Sequence, residues 1–319
     1  MRASALVAMK ASALAQGLFD RHSRAITLAL ALLLAAWAMP TFNRSRPTYD
    51  YLVVFDITQS MNVADYKLGE APASRLAYAR EATRRALRDL PCGSRVGWGA
   101  FAEYRTVLLL APIEVCAHYS DLLTSLDRID GRMRWGEASE VWKGVLWAIR
   151  AAKETRGAPN VIFLSDGHEA PPLAPGAHAL FDDVKPGDVR GWLIGVGGYA
   201  PQPIPRTDDE GKLIGHWRAE DVMQTHAGDD GGPSREHLSG LRERHLRTLA
   251  KEVGFEYLRL AEPASLSEAM RDPRFARPRP VPIDLYWLPV AAALMLLALR
   301  FRPDLRRAPI RRSSAPSGR

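Results

Sequence analysis

The chain has 319 residues, 47% of them hydrophobic, and a formal net charge of +7. That is enough for one sizeable core, and no period of self-similarity points to a repeat protein. The positive charge belongs to the ends: residues 1–46 carry six Lys/Arg against one acid and residues 300–319 carry seven Arg against one, so residues 47–299 are net −4 by subtraction. A phosphate backbone finds no basic surface there, which excludes nucleic acid as a partner.

In chain order, residues 1–24 read as a basic cytoplasmic segment and residues 25–42 as a membrane span, either a signal anchor or a cleaved signal peptide, since Ala36-Trp37-Ala38 has the small-x-small form of a cleavage site. Its strongly apolar part, Ala25 to Met39, is about 15 residues, shorter than the roughly 20 that a bilayer asks for. Arg21 and Arg24 precede it, and the positive-inside rule then puts the chain beyond it outside the cytoplasm.

From Tyr51 onward, β-branched runs alternate with amphipathic stretches, which predicts an α/β domain with a mainly parallel sheet, helices on both faces and one antiparallel hairpin strand. The predicted strands are Leu52 to Phe55, Val96 to Phe101, Thr106 to Leu110, Val161 to Leu164, Trp192 to Val196 and Phe255 to Leu260. The predicted helices are Ser74 to Leu90, Tyr119 to Arg128, Val141 to Thr155 and Arg235 to Val253, the last either continuous or broken near Gly240, with Ser74 and Ser120 as N-caps. The second and third strands read as a hairpin turned at Ala102 to Tyr104. Its pairing makes Cys92 and Cys116 neighbours, so a disulfide closing a loop of about 25 residues is feasible, and two unrelated buried thiols are the alternative. Such a bond persists in oxidising compartments.

Residues 199–234 leave the sheet pattern: prolines, Asp208-Asp209-Glu210-Gly211 and a glycine cluster mark an insertion in which Lys212 to Trp217 is one strand of a small hairpin and His226 to Pro233 is flexible. Asp208, Asp209 and Glu210 have the makings of a calcium loop, though a solvated turn explains them as well. Residues 271–282 hold four prolines and read as a stiff spacer. A second span follows at 283–300, with Tyr286 and Trp287 at one edge, and then an arginine-rich cytoplasmic tail at 301–319.

The chemistry concentrates in three loops. Asp56-Ile57-Thr58-Gln59-Ser60 ends the first strand with a carboxylate and two hydroxyls at alternating positions. Asp166 leaves a later central strand just before Gly167. Gly131 to Glu140 precedes a helix and holds Ser139. Ligands of an open parallel sheet gather at the carboxyl ends of its strands, and an all-oxygen donor set suits Mg²⁺ or another hard divalent cation. Each residue alone also reads as a turn or cap residue.

Phe55-Asp56-Ile57-Thr58-Gln59-Ser60-Met61 resembles the D-x-[ST]-x-S-M signature of von Willebrand factor type A (VWA) domains. Leu164-Ser165-Asp166-Gly167 and Ala138-Ser139-Glu140-Val141 stand where that family completes its metal-ion-dependent adhesion site. The resemblance covers residues 47–262 and is closest to the bacterial membrane-anchored branch of aerotolerance-type and methanol-oxidation-cluster proteins that accompany a MoxR-type ATPase. It implies a Rossmann-like fold and Mg²⁺ held by Asp56, Thr58, Ser60, Ser139 and Asp166. It also implies no catalytic turnover, and a role in assembling or maturing other proteins, methanol dehydrogenase among them. The partners it implies are a protein offering a carboxylate to the metal, other VWA proteins, and the MoxR-type ATPase system at the bacterial inner membrane, with the main domain in the periplasm. Ser139 in place of the family's Thr is the larger departure and Thr58 in place of Ser the smaller.

Trp135, Glu137 and His168 are the predicted partner-binding residues, His168 as a rim residue. Trp135 reads equally as an interface aromatic or as one buried against a neighbouring loop. Two other functions compete with docking. In one, Asp56 is a phosphoryl-accepting nucleophile with Mg²⁺, although Thr58 stands where such a site commonly adds a second carboxylate. In the other, the chain is a metal-free interaction scaffold.

Overall fold

A computed structural model of the protein describes residues 21–40, 42–173, 182–224, 235–283 and 285–301. The segments expected to be flexible at 226–233, cytoplasmic at 1–20 and arginine-rich at 302–319 lie outside the described residues.

In chain order the elements are α1 (Arg21–Trp37), β1 (Phe42–Thr48), β2 (Asp50–Asp56), β3 (Tyr66–Leu68), β4 (Ala71–Ala73), α2 (Arg75–Asp89), β5 (Arg95–Ala102) and β6 (Arg105–Glu114). There follow α3 (Tyr119–Asp127), α4 (Val141–Glu154), β7 (Asn160–Ser165), β8 (Gly191–Gly195), β9 (Gln202–Pro203), β10 (Pro205–Thr207) and β11 (Leu213–His216). The last are β12 (Leu238–Ser239), α5 (Glu243–Val253), β13 (Glu256–Arg259), α6 (Pro263–Met270), β14 (Arg277–Ile283) and α7 (Trp287–Arg300).

Two compact units form. One lies within Ser45–Arg279; the other is made from the described residues of the two chain ends, before Ser45 and after Arg279. The larger unit is built on a six-stranded sheet of order β13-β8-β7-β2-β5-β6. All neighbours are parallel except β5 and β6, the predicted hairpin. β2 is buried at all seven positions, as befits a central parallel strand covered on both faces. Its alternate side chains serve two cores. Tyr51, Val53 and Phe55 join the core under α2, α3 and α6, whereas Leu52 and Val54 join the core under α4 and α5.

Several sequence expectations are corrected in detail. Ser74 caps α2 by accepting from Ala77 N at 3.2 Å, but Ser120 lies inside α3, whose N-cap is His118. The helix expected from Arg235 shrinks to α5, because Leu238 and Ser239 pair with β9 instead. The proline-rich segment is no bare spacer: Asp272 caps a 3₁₀ turn, and β14 pairs with β1 as a two-stranded ribbon. Alternating prolines leave every second N–H available, which an edge ribbon tolerates.

In the smaller unit α1 and α7 lie side by side, with Ala29, Ala36 and Ala293 buried. They span 17 and 14 residues, and among the described residues no helix is long and apolar enough to cross a membrane.

Candidate metal centre

β2 and β7 are adjacent parallel strands, so Asp56 and Asp166 leave the sheet at the same carboxyl edge. Both carboxylates are fully buried. Asp56 Oδ1 accepts from Thr58 N at 2.9 Å and from the Thr58 hydroxyl at 2.7 Å, while Oδ2 accepts from Ser165 Oγ at 2.7 Å. Thr58 Oγ1 lies 3.3 Å from Ser60 Oγ. The alternating donors of the motif therefore turn onto one point. A 3₁₀ turn, Gln59–Asn62, makes this possible by bending the chain as soon as the strand ends. Gly167, at φ +75°, supplies the matching bend after Asp166; a Cβ there would also press within 2.8 Å of Leu246.

The third loop docks onto the second. Ser139 N donates to Ala170 O at 2.7 Å, Ala170 N returns to Ser139 O at 2.8 Å, and Ser139 Oγ donates to His168 O at 2.8 Å. Ser139 is thus not the cap of α4. Glu169 takes that role, its carboxylate accepting from Val141 N and Trp142 N at 2.9 and 3.0 Å.

The two aspartates differ in what neutralises them. Burial, and then the like charge of Asp166, push the Asp56 carboxyl up from 3.8 to about 7, against the lowering effect of its hydrogen bonds. Burial would raise Asp166 too, and is the largest single influence, but the Arg75 guanidinium together with His168 and the hydrogen bonds from Ser239 and His168 N outweighs it and holds that carboxyl below its usual value. Arg75 is fully buried, 2.6 Å from Asp166 Oδ2 and 2.7 Å from Asp65 Oδ2, and it also donates to Ser239 Oγ at 2.6 Å. Neither Arg75 nor Ser239 was marked by the sequence, since nothing local tells a helix-start arginine that its partner lies at 166.

Above these groups is a cleft of about 260 Å³ lined by Thr58, Ser60, Ser139 and His168 on its polar side. Its far wall comes from the insertion: Ile204, Trp217, Val222 and Met223. Gln59, the unassigned position of the motif, ties the two sides together. Its Oε1 accepts from Thr207 N and Trp217 Nε1, both at 3.1 Å, and its Nε2 donates to Glu137 at 2.5 Å. Arg134 adds a second tie, donating to Thr207 O at 2.7 Å.

Of the three predicted partner-binding residues, Glu137 and His168 line this cleft and Trp135 does not, although its side chain is exposed. His168 is not a rim residue. It is only 3% exposed, with Nδ1 lacking a hydrogen-bond partner, and burial holds its pKa below 6.5 despite the pull of Asp166. Asp208 closes the β10–β11 turn by accepting from Lys212 N at 2.7 Å, as the solvated-turn reading expects. Cys92 and Cys116 are joined in a disulfide, with their Cα atoms 5.3 Å apart.

The donor set fits a divalent cation. Asp56 is a buried carboxylate without a cation of its own, and the Thr58, Ser60 and Ser139 hydroxyls keep lone pairs for one.

No protein-family model matches the chain, and no curated protein does. Solved structures do. An aerotolerance-related membrane protein from Bacteroides fragilis, carrying multiple mutations to serines, superposes with a TM-score of 0.50 at 18% identity, covering 70% of this chain and 96% of that one. The BatB protein of Bacteroides thetaiotaomicron gives 0.49 at 19% identity, covering 70% and 95%. A von Willebrand factor type A protein from Catenulispora acidiphila gives 0.41 at 15%, covering 70% and 41%. Together with the strand order and the D-x-T-x-S turn at the end of β2, the first of these decides the architecture. The fold is that of a VWA domain. The three loops of this chain occupy the carboxyl edge of the sheet, and the insertion walls the space above them.

Proposed function

We propose that the chain is a membrane-anchored, extracytoplasmic VWA module that binds Mg²⁺ or another divalent cation and docks a carboxylate of a partner protein. By this reading it assists the assembly or maturation of a periplasmic or membrane complex alongside other VWA proteins and a MoxR-type ATPase. The observation that carries the metal is Asp56: a fully buried carboxylate pushed up to about 7, bonded to the Thr58 hydroxyl, which itself lies 3.3 Å from that of Ser60. With Asp56, Thr58, Ser60 and Ser139 as the nearer donors and Asp166 held back by Arg75, the bound ion has few anionic ligands. It therefore keeps a strong pull on an incoming carboxylate.

The membrane reading is supported by where the apolar surface lies. Ile26, Leu28, Leu30, Leu33 and Leu34 on α1, and Leu288, Leu294, Met295 and Leu299 on α7, are each more than 40% exposed. So much apolar surface is costly in water and ordinary in lipid. The disulfide supports a compartment outside the reducing cytosol.

Calorimetry on the full chain in detergent tests the metal, with Asp56→Asn as control. Mg²⁺ binding that the variant loses, and Mg²⁺-dependent capture of an acidic peptide, support the proposal. No heat at millimolar Mg²⁺ leaves the metal-free scaffold, for which the saturation of Asp166 by Arg75 speaks, as the better account.

A further inference from the structure

The sheet ends on one side at β6, and among the described residues no strand lies beyond it. That edge is ten residues long. Three successive apolar side chains on it, Val107, Leu108 and Leu109, are exposed by 38, 39 and 37%. Alternation would have hidden one of them. Register shifts on either side of Trp98 leave Leu109 without a cross-strand partner and twist the strand there. Chains usually blunt such an edge with charge. In β6 the charges stand only at the two ends, Arg105 and Glu114, and Pro112 confines any further pairing to Thr106 to Ala111.

Beside this edge runs a groove of about 530 Å³, floored by Leu108 and Ala111 and walled by Trp147, Arg150 and Arg156 of α4 and the turn that follows it. The Arg105 and Arg150 guanidinium groups lie 4.7 and 4.9 Å from the centre of the Trp147 ring. Arg150 is engaged by Asp183, yet Arg105 and Arg156 still outnumber the groove's single acid, Glu154. The groove is apolar below and positive along its wall.

We propose that β6 is a strand-addition site that captures an extended apolar segment of a partner protein carrying acidic residues beside the pairing strand. Main-chain bonds to the open edge supply affinity, and the Arg105–Arg156 wall selects the acidic flank. A second copy of this chain fits less well. A two-fold axis at β6 would bring one arginine wall up to its own image, and like charges brought together across a pair are destabilising. The surface shares no lining residue with the cleft over Asp56 and needs no metal.

Fluorescence anisotropy of the full chain in detergent, with chelator present, tests this with a labelled peptide of alternating valine and threonine flanked by glutamates. Two controls carry lysine for glutamate or a central proline. The expected result is saturable binding, weaker by about tenfold or more for both controls. Binding is also expected to be lost in Leu109→Pro and about tenfold weaker in Arg105→Glu/Arg156→Glu, whose exposed positions leave the fold intact by circular dichroism. No saturable binding, equal binding of the lysine peptide, or binding that survives the double arginine variant overturns the proposal. So does sedimentation that shows a dimer dissolved by the same substitutions. Should Leu109→Pro fail to fold, the arginine variant and the peptide controls still decide.

Discussion

At the scale of single residues, the site rests on a contrast between two buried aspartates. The carboxyl of Asp56 is raised from 3.8 to about 7, so as pH climbs the unfolded chain releases this proton first. The metal-free fold therefore loses stability between about pH 4 and pH 7, and Mg²⁺ restores it by supplying the missing counter-charge. Melting curves at pH 5 and pH 8, with and without Mg²⁺, should show a metal-induced rise at pH 8 that shrinks at pH 5. Mg²⁺ affinity itself should fall about tenfold for each pH unit below 7. An equal rise at both pH values would mean the ion sits elsewhere. Asp56→Asn removes the buried charge while keeping the shape, so at pH 8 the metal-free variant should melt no lower than the parent and show no Mg²⁺ response. Arg75→Met has the opposite effect: it strands Asp166 and Asp65, and urea unfolding should show a loss of about 3–5 kcal/mol. Asp56, Thr58 and Ser60 were legible because their spacing along one turn is itself the geometry. Arg75 was not, because its ion pair with Asp166 joins positions 91 residues apart.

At the scale of elements, the six strands of the main sheet were legible as apolar runs and α2, α3 and α4 as amphipathic ones, within a residue or two at most ends; β6 runs four residues past its expected end, and α6 and the short strands β1, β3, β4, β9, β12 and β14 were not read from the sequence. The β10–β11 hairpin could be read from its Asp-Glu-Gly turn, but what it covers could not. Only the fold shows that Gln59 holds this hairpin over the cleft through Thr207 N and Trp217 Nε1. Replacing Gln59 by leucine leaves both donors without that acceptor, at a cost of about 1–3 kcal/mol. The loss should be local. Hydrogen exchange should quicken across residues 205–217 while β2 and β7 keep their protection, and any carboxylate docking should weaken even though every proposed metal ligand is intact. Exchange that quickens throughout the sheet would show instead that Gln59 supports the core. The stretch before α5 was misread because Arg235 to Arg242 carries no helix breaker before Gly240, and its pairing partner in β9 lies in the insertion, beyond the reach of local pattern.

At the scale of the whole molecule, the chain is divided by charge and by covalent bonding. Its ends are basic, the part between them is net acidic, and its two cysteines are spent on one bond at the base of the β5–β6 hairpin. That bond fixes the open end of the hairpin that carries the bare sheet edge. Ser94 and Val115, just inside the two cysteines, are also joined by a backbone hydrogen bond of 2.9 Å, so reduction leaves the hairpin paired and acts mainly by freeing the unfolded chain. Closing a loop of about 25 residues is worth roughly 3 kcal/mol in the chain-entropy model. For a domain of this size, reduction should lower the melting temperature by roughly 5–10 °C. Both cysteines are exposed, so reductant reaches them in the folded protein. Cys92→Ser/Cys116→Ser should melt with the reduced parent and be insensitive to reductant. A parent whose melting is unmoved by reductant, with free thiols appearing on mass analysis, would show that the bond adds nothing to the fold and that the argument from compartment must stand without it.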